Sequence, residues 1–300
     1  MKFPQNILVV VSGKQHTHIA LNRVMQLARF YDIQINLLSC VYDPGTELSP
    51  LLSDEVKNKL KSEKIQERQK YLEQIQRKIQ EKGITSTATV KWHRKIQTAV
   101  IQTCEEIKPD LVVKRISENA SRLNPFNMPA DWQLLRHCPV PLLIIKDENW
   151  NLSAPVLAAV DATKESPEDI TFNQQIIDYS KLVSRLTDTP VHLVTTHITP
   201  TIDNAISIPG FDLQQLRKEV TKLNHDKLSD LIKNKNIDKK NLHIIEGLAE
   251  EKIPQLANEI NAQLVVMGTI CRSGLKGALM GNTAEKVLTH LQCEVLALKP

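Results

Sequence analysis

The 300-residue chain has few aromatic residues, 4% of the total. That leaves little from which to build the stacking platforms that hold single-stranded nucleic acids. Charge of one sign is also scarce: 38 basic residues stand against 34 acidic ones, for a formal net charge of +4. The most basic stretch, KNKLKSEKIQERQK at 57–70, is interleaved with acids, as a solvated helix face is. The run Trp92-His93-Arg94-Lys95 offers a single aromatic among cations, too little for a nucleic-acid patch. No nucleic-acid partner is expected.

Cysteine is sparse and irregular. Cys40, Cys104, Cys138, Cys271 and Cys293 are odd in number, widely spaced and without a CxxC pair. This excludes a disulfide framework or a cysteine zinc site and fits a reducing cytosol. No apolar run is long enough to span a bilayer. The start, MKFPQNILVVVSG, has neither an apolar h-region nor a cleavage site, so no signal peptide is expected. The cytoplasm, without membrane insertion, is the expected location. Catalytic signatures are absent too: there is no GxSxG, HExxH, Walker A or GxGxxG. No nucleophile–base arrangement is found, so no catalytic residue is assigned and the chain is not expected to be an enzyme. The nine histidines include His16 and His18 after the first strand, His192 and His197 on one strand, and His137 and His290 at matched helix ends. None has ligand spacing with carboxylates or cysteines, so no metal is expected.

What is present is an ordinary globular composition, 41% hydrophobic and 24% charged, on a chain long enough for two domains. The chain repeats itself once. ILVVVSG (7–13) recurs as VLAAVDA (156–162), PDLVVK (109–114) as AQLVVM (262–267), and LLRHCPVPLLIIKD (134–147) as VLTHLQCEVLALKP (287–300). A repeat of this length is a duplicated domain. The polar seam KDENWNLSAP (146–155) places the domains at 1–149 and 150–300.

Within each half, short β-branched runs alternate with segments of helical spacing. Strands are expected at 7–11, 35–41, 85–92, 110–114 and 141–146, then at 156–160, 191–197, 242–246, 263–267 and 294–299. Helical spacing joins Ala20, Val24, Leu27, Ala28 and Tyr31. It also joins Leu72, Ile75 and Ile79, with Gly83 to stop that helix. Residues 98–107 read as helix, as do Leu213, Leu216, Val220, Leu223 and Leu231. Strands alternating with helices predict an α/β fold, a doubly wound parallel sheet with helices on both faces.

Near the end, the strand QLVVM leads into GTICRSGLKGALMGN (268–282) and then the helix TAEKVLTHL. Such a strand–loop–helix unit can hold an anion on backbone N–H groups at a helix start. The spacing resembles the phosphate loop of the universal stress protein family, G-x2-G-x9-G-[S/T]. Gly268 and Gly281 take the first and last glycines, Cys271 stands for the middle glycine, and Asn282 stands for the hydroxyl. With the tandem repeat, NTAEKVL and WQLLRHCP, the resemblance covers nearly the whole chain. It implies two tandem doubly wound domains, each a five-stranded parallel sheet of order 3-2-1-4-5 flanked by helices. It also implies a stress-response role, covering growth arrest, oxidative stress and DNA damage, and an adenine nucleotide such as ATP or AMP in the second domain.

In such a sheet the ligand crevice lies beyond the carboxyl ends of strands 1 and 4. The candidate binding residues there are Asp161, Gly268, Cys271, Gly281, Asn282 and Thr283. Asp161 matches the family carboxylate near the adenine or ribose, and it also suits an Asx turn. Gly268 permits positive φ or the close approach of a ligand. Asn282 or Thr283 would cap the last helix, with Glu285 helping. Cys271 adds a Cβ and Asn282 a longer amide, and both crowd the loop. Arg272 and Lys276 keep it cationic. A thiol at Cys271 near Arg272 would be redox-sensitive if exposed; a small residue tolerated in a loop is the plainer reading.

A shift of 153 positions carries the first half onto the second, Val112 and Val113 onto Val265 and Val266. The four loop positions then become Arg115, Glu118, Met128 and Pro129. No glycine survives, and proline removes an N–H that would face an anion. The first half is therefore not expected to bind nucleotide. Three readings stay open: a small-ligand stress protein, a carrier of an apolar metabolite or lipid, and an interaction module without nucleotide. The carrier reading rests on Leu48, Leu51, Leu52, Ile206, Ile208 and Phe211. The resemblance further implies pairing of the two halves with each other; a homodimer of the whole chain is compatible with the sequence but not readable from it.

Overall fold

The computed structural model describes residues 2–13, 18–116, 129–146, 151, 153–199, 213–269 and 282–300. The chain divides into two compact units, Lys2–Glu148 and Asn149–Pro300.

The first unit runs β1 (Asn6–Val10), α1 (Ile19–Leu27), β2 (Gln34–Val41), α2 (Pro44–Leu48) and α3 (Asp54–Gln80). It continues through β3 (Ser86–Trp92), α4 (Ile96–Ile107), β4 (Leu111–Arg115), α5 (Pro129–His137) and β5 (Leu142–Ile145). Its strands pair in parallel in the order β3-β2-β1-β4-β5. The central strand shows why the sequence takes this form. Ile7, Leu8, Val9 and Val10 are all buried, as a run without polar alternation must be when helices cover both faces. Burying each large apolar side chain contributes about 1.5–3 kcal/mol, so this strand anchors the layer. The long α3 starts where the Ser53 hydroxyl accepts from the Val56 N–H, with Asp54 and Glu55 in its first turn. It ends before Gly83, which takes φ +78°.

The second unit runs β6 (Val156–Ala159), α6 (Pro167–Thr187), β7 (Val191–His197), α7 (Leu213–Leu231) and β8 (Leu242–Glu246). It continues through α8 (Ala249–Glu259), β9 (Leu264–Gly268), α9 (Asn282–His290) and β10 (Glu294–Leu298). The parallel order is β8-β7-β6-β9-β10. Both units thus have the sheet order 3-2-1-4-5.

Three helices, α2, α6 and α8, were not anticipated from apolar spacing. The buried face of α6 mixes Ile176, Ile177 and Leu182 with Asn173 and Ser180, which blurs the 3.6-residue period. Its start is nevertheless written plainly: Ser166 accepts from the Asp169 N–H at 3.1 Å and Pro167 follows at the first position. Such a cap stabilises a helix by about 1 kcal/mol. In α8, Pro254 lies inside the helix and is buried with Ile253, Leu256 and Ala257. The repeat shift holds in space. Val10 and Ala159, the last residues of β1 and β6, pair with Lys114 and Met267, each the next-to-last residue of its strand. Arg115 and Gly268 close those strands.

Candidate functional site

In the second unit the carboxyl ends of β6, β7 and β9 open into a cleft of about 730 Å³. This is the crossover point at which open α/β sheets bind ligands. Its apolar lining includes Ile176 from α6, Val220 and Leu223 from α7, Ile253 from α8, Met267 from β9 and Val287 from α9. Ile198, Leu223 and Leu248 line it while staying largely exposed, at 70%, 53% and 42%.

Asp161 and Gly268 both line this cleft. The Asp161 carboxylate accepts from the Thr163 N–H at 3.1 Å and the Thr163 hydroxyl at 2.5 Å, an Asx turn. Its other oxygen lies 3.5 Å from Lys164 Nζ. From α6, Asn173 clamps the backbone here. Its Oδ1 accepts from the Asp161 N–H at 3.1 Å and its Nδ2 donates to the Asp161 carbonyl at 2.8 Å. The Thr195 hydroxyl takes the next N–H, from Ala162, at 3.2 Å. The turn is therefore held from two sides, and the carboxylate stays partly exposed at the cleft.

Gly268 does not adopt positive φ, and what approaches its backbone is a side chain of the fold. A Cβ on it would lie 2.5 Å from Phe172 Cε1 and 3.0 Å from Cζ. The ring of Phe172, from α6, thus packs against the bare backbone at the end of β9 and lines the cleft itself. Gly247, just past β8, is the lining glycine that needs its freedom. It sits at φ +134°, and its N–H donates to the His197 carbonyl at 2.9 Å.

The remaining binding positions lie partly outside view. Cys271 and Gly281, with Arg272 and Lys276, fall outside the described residues. Asn282 and Thr283 open α9, which runs to His290. The apolar segment 206–211 is also outside the described residues, whereas Leu48 and Leu51 of the first unit are exposed.

The matching place in the first unit is filled. Its cavity measures about 20 Å³, with Val11, Ser12, His18 and Arg115 among its walls, room for about one water. Buried Arg68 from α3 donates from Nε to the Ser39 hydroxyl at 2.6 Å and from Nη2 to the Val11 carbonyl at 3.4 Å. The guanidinium also lies 4.9 Å from the Tyr71 ring centroid, and the Tyr71 hydroxyl meets His18 Nε2 at 2.8 Å. Burial pushes His18 below the ordinary imidazole range, helped by Arg68 and Lys78. Lys114 Nζ lies 2.5 Å from Asp131 Oδ1, with both side chains 2% exposed. These two residues occupy the places of Met267 and Ala284, which line the second-unit cleft. Glu118 and Met128 are outside the described residues, and α5 opens on Pro129.

Among the described residues no group of three or more His, Cys, Asp or Glu is placed to hold a metal ion. Nor is any helix there long and apolar enough to cross a membrane. His192 and His243 stack with centroids 5.2 Å apart, Nδ1 to Nε2 at 2.9 Å, on adjacent strands. His290 Nδ1 meets the Lys286 carbonyl at 2.8 Å in the last turn of α9. Phe172, Asn173, Asn224, Lys227 and Gly247 line the cleft without having been anticipated from the sequence. A Ser-Pro helix start within reach of the strand-1 turn was the available signal for Phe172 and Asn173.

The family model described as the universal stress protein family matches residues 4–146 and again 154–299. Universal stress protein E homolog of Haemophilus influenzae is 32% identical over 305 residues, covering 100% of this chain and 98% of that protein. Universal stress protein E of Escherichia coli K12 is 31% identical over 301 residues, covering 100% and 95%. Among solved structures, a functionally unknown protein from Pseudomonas aeruginosa PAO1 is similar with a TM-score of 0.76 and 26% identity, over 99% of this chain and 93% of that one.

Proposed function

This chain belongs to the universal stress protein family, and from that premise we propose that it is a cytoplasmic, non-catalytic stress-response protein that holds a small ligand in its second unit, with ATP or AMP the first candidates. The observation that carries the proposal is the asymmetry between equivalent places: a cleft of about 730 Å³ in one unit against about 20 Å³ in the other. A volume of the first size suits a drug-sized ligand, with apolar walls and a few polar groups to orient it. Asp161 supplies an acceptor at the cleft, and Lys164 and Lys227 supply cations. Calorimetric titration of the full chain with ATP and with AMP tests the proposal. Saturable heat supports it, and its absence with a folded sample sinks it.

A second reading, carriage of an apolar metabolite, is favoured by the exposed Ile198, Leu223 and Leu248 around the same cleft. Mass spectrometry of molecules that co-purify with the chain separates the two. An apolar small molecule retained at one per chain supports the second reading, and clean protein counts against it.

A further inference from the structure

Three large apolar side chains stand exposed at the mouth of the second-unit cleft: Ile198 past β7, Leu248 past β8 and Leu223 on α7. The way α7 is rooted explains the third. From Gln214 to Leu223 no side chain of this helix is buried, whereas Asn224, Leu228 and Leu231 are 4%, 0% and 9% exposed. Leu216, Val220 and Leu223 follow one another at spacings of four and three, which puts them on one stripe. Val220 and Leu223 line the cleft. The helix is therefore held in the core by its second half, and its first half overhangs the opening.

The two units differ where this helix enters the core. In α3 the buried polar residue four positions before a fully buried leucine is Arg68, ahead of Leu72, and its guanidinium crosses to the Ser39 hydroxyl and the Val11 carbonyl. In α7 the same place, ahead of Leu228, holds Asn224, and its Nδ2 turns back to the Val220 carbonyl at 2.9 Å. That carbonyl is the one the Asn224 N–H meets in an unbroken helix. A parting of the helix there leaves the carbonyl with a partner. Ahead of this point, Arg217 Nε lies 3.3 Å from Glu246 Oε1 at the end of β8, with the side chains 44% and 42% exposed. An ion pair so exposed holds weakly. We propose that the first half of α7, Leu213–Leu223, is a lid on the second-unit cleft, hinged at Asn224 and latched by Arg217 on Glu246. Closure moves Leu223 toward Ile198 and Leu248 and takes apolar surface at the mouth out of water. The lid rests on the reading of the cleft as a ligand site, and its motion belongs to the chain without ligand.

Hydrogen exchange of the full chain without ligand reads the hinge. The amides of 217–223 should exchange at least about tenfold faster than those of 228–231. Arg217→Gln removes the latch and should speed exchange at 217–223 by about two- to fivefold, the range an exposed ion pair can supply, with 228–231 unchanged. A second measurement reads access. Met267 lines the cleft at 5% exposure. In Met267→Cys, adding Arg217→Gln should speed labelling of the thiol by the same factor, as mass spectrometry of that peptide reports. If Met267→Cys fails to fold, the exchange measurement decides alone. Even exchange along α7, Arg217→Gln speeding 228–231 as much as 217–223, or labelling at 267 that ignores the latch overturns the lid. Even exchange together with saturable heat in the nucleotide titration overturns the lid and keeps the ligand site. Two-rate exchange with no heat keeps the hinged motion and overturns the ligand site.

Discussion

The buried Lys114–Asp131 pair gives a sharp test of how the first unit closes its crevice. Both side chains are 2% exposed and lie 2.5 Å apart, and Lys114 also donates to the Arg115 carbonyl at 2.9 Å. Removing one partner leaves an ion in a site with almost no water, at a cost of about 3–5 kcal/mol. Replacing both with the residues at the same places in the second unit, Met267 and Ala284, removes the charges together. Met fills much of the volume of Lys, so Lys114→Met with Asp131→Ala should fall within about 1 kcal/mol of the natural chain. Urea unfolding followed by tryptophan emission reads the difference, because Trp92 and Trp132 belong to the first unit. With a slope of about 2 kcal/mol per molar, each single variant should lower the midpoint by about 1.5–2.5 M. The double variant should restore most of that. Singles that cost under about 1 kcal/mol, or a double that costs the sum of both, would refute the claim that the pair is a closed, desolvated unit.

Three further outcomes follow from the same geometry. Gly268→Ala should destabilise by about 1–3 kcal/mol because its methyl meets Phe172, and Phe172→Ala should relieve most of that loss in a double-mutant cycle read by thermal melting. His192 and His243 are both pushed below the ordinary imidazole value by burial, and His192 additionally by His243. Their stabilisation is therefore complete above about pH 6.5 and declines as pH falls below it, and His192→Gln with His243→Gln should flatten that limb in chemical denaturation from pH 7 to pH 5. Cys104 is pushed strongly up by its contact with the Cys138 thiol and by burial, and both are buried, so neither should react with a thiol reagent until the first unit unfolds, as mass spectrometry of labelled peptides would report.

The central strands were legible because their runs are apolar on both faces, a pattern that water forbids anywhere but in a covered sheet, whereas β3 showed as an alternating run. The sheet order came from the family resemblance, and the described strands pair in that order in both units. The cleft wall was not legible. Phe172, Asn173, Asn224 and Lys227 project from helices, where a lining residue and an ordinary packing residue look alike in sequence. Gly268 was legible as a residue that could not be larger. The reason, a phenylalanine ring rather than a backbone twist, depends on a contact between residues 96 positions apart. The departures at Arg115 and Pro129 could be read in the sequence, but not the side chains that occupy the first-unit crevice. Arg68 reaches across from α3, and no local pattern marks a helix arginine as a plug.

The two units solve the same problem in opposite ways, and the difference has a thermodynamic consequence. A crossover crevice presents apolar strand ends to water. The first unit covers its own with Arg68 and with the Lys114–Asp131 pair. The second leaves Ile198, Leu223 and Leu248 exposed around an open cleft and leaves His197 Nδ1 unpaired. A ligand seated in the cleft would cover the exposed Ile198, Leu223 and Leu248. Whatever binds the native form alone stabilises it by about 2.7 kcal/mol at a hundredfold excess over Kd. Hydrogen exchange with and without AMP should then show slower exchange at the end of β7, in the turn after β6 and along α6 and α7, with the equivalent ends of β1 and β4 unchanged. Protection that appeared instead beside Arg68 and Arg115 would place the ligand in the first unit, and the filled crevice would then have to open to receive it.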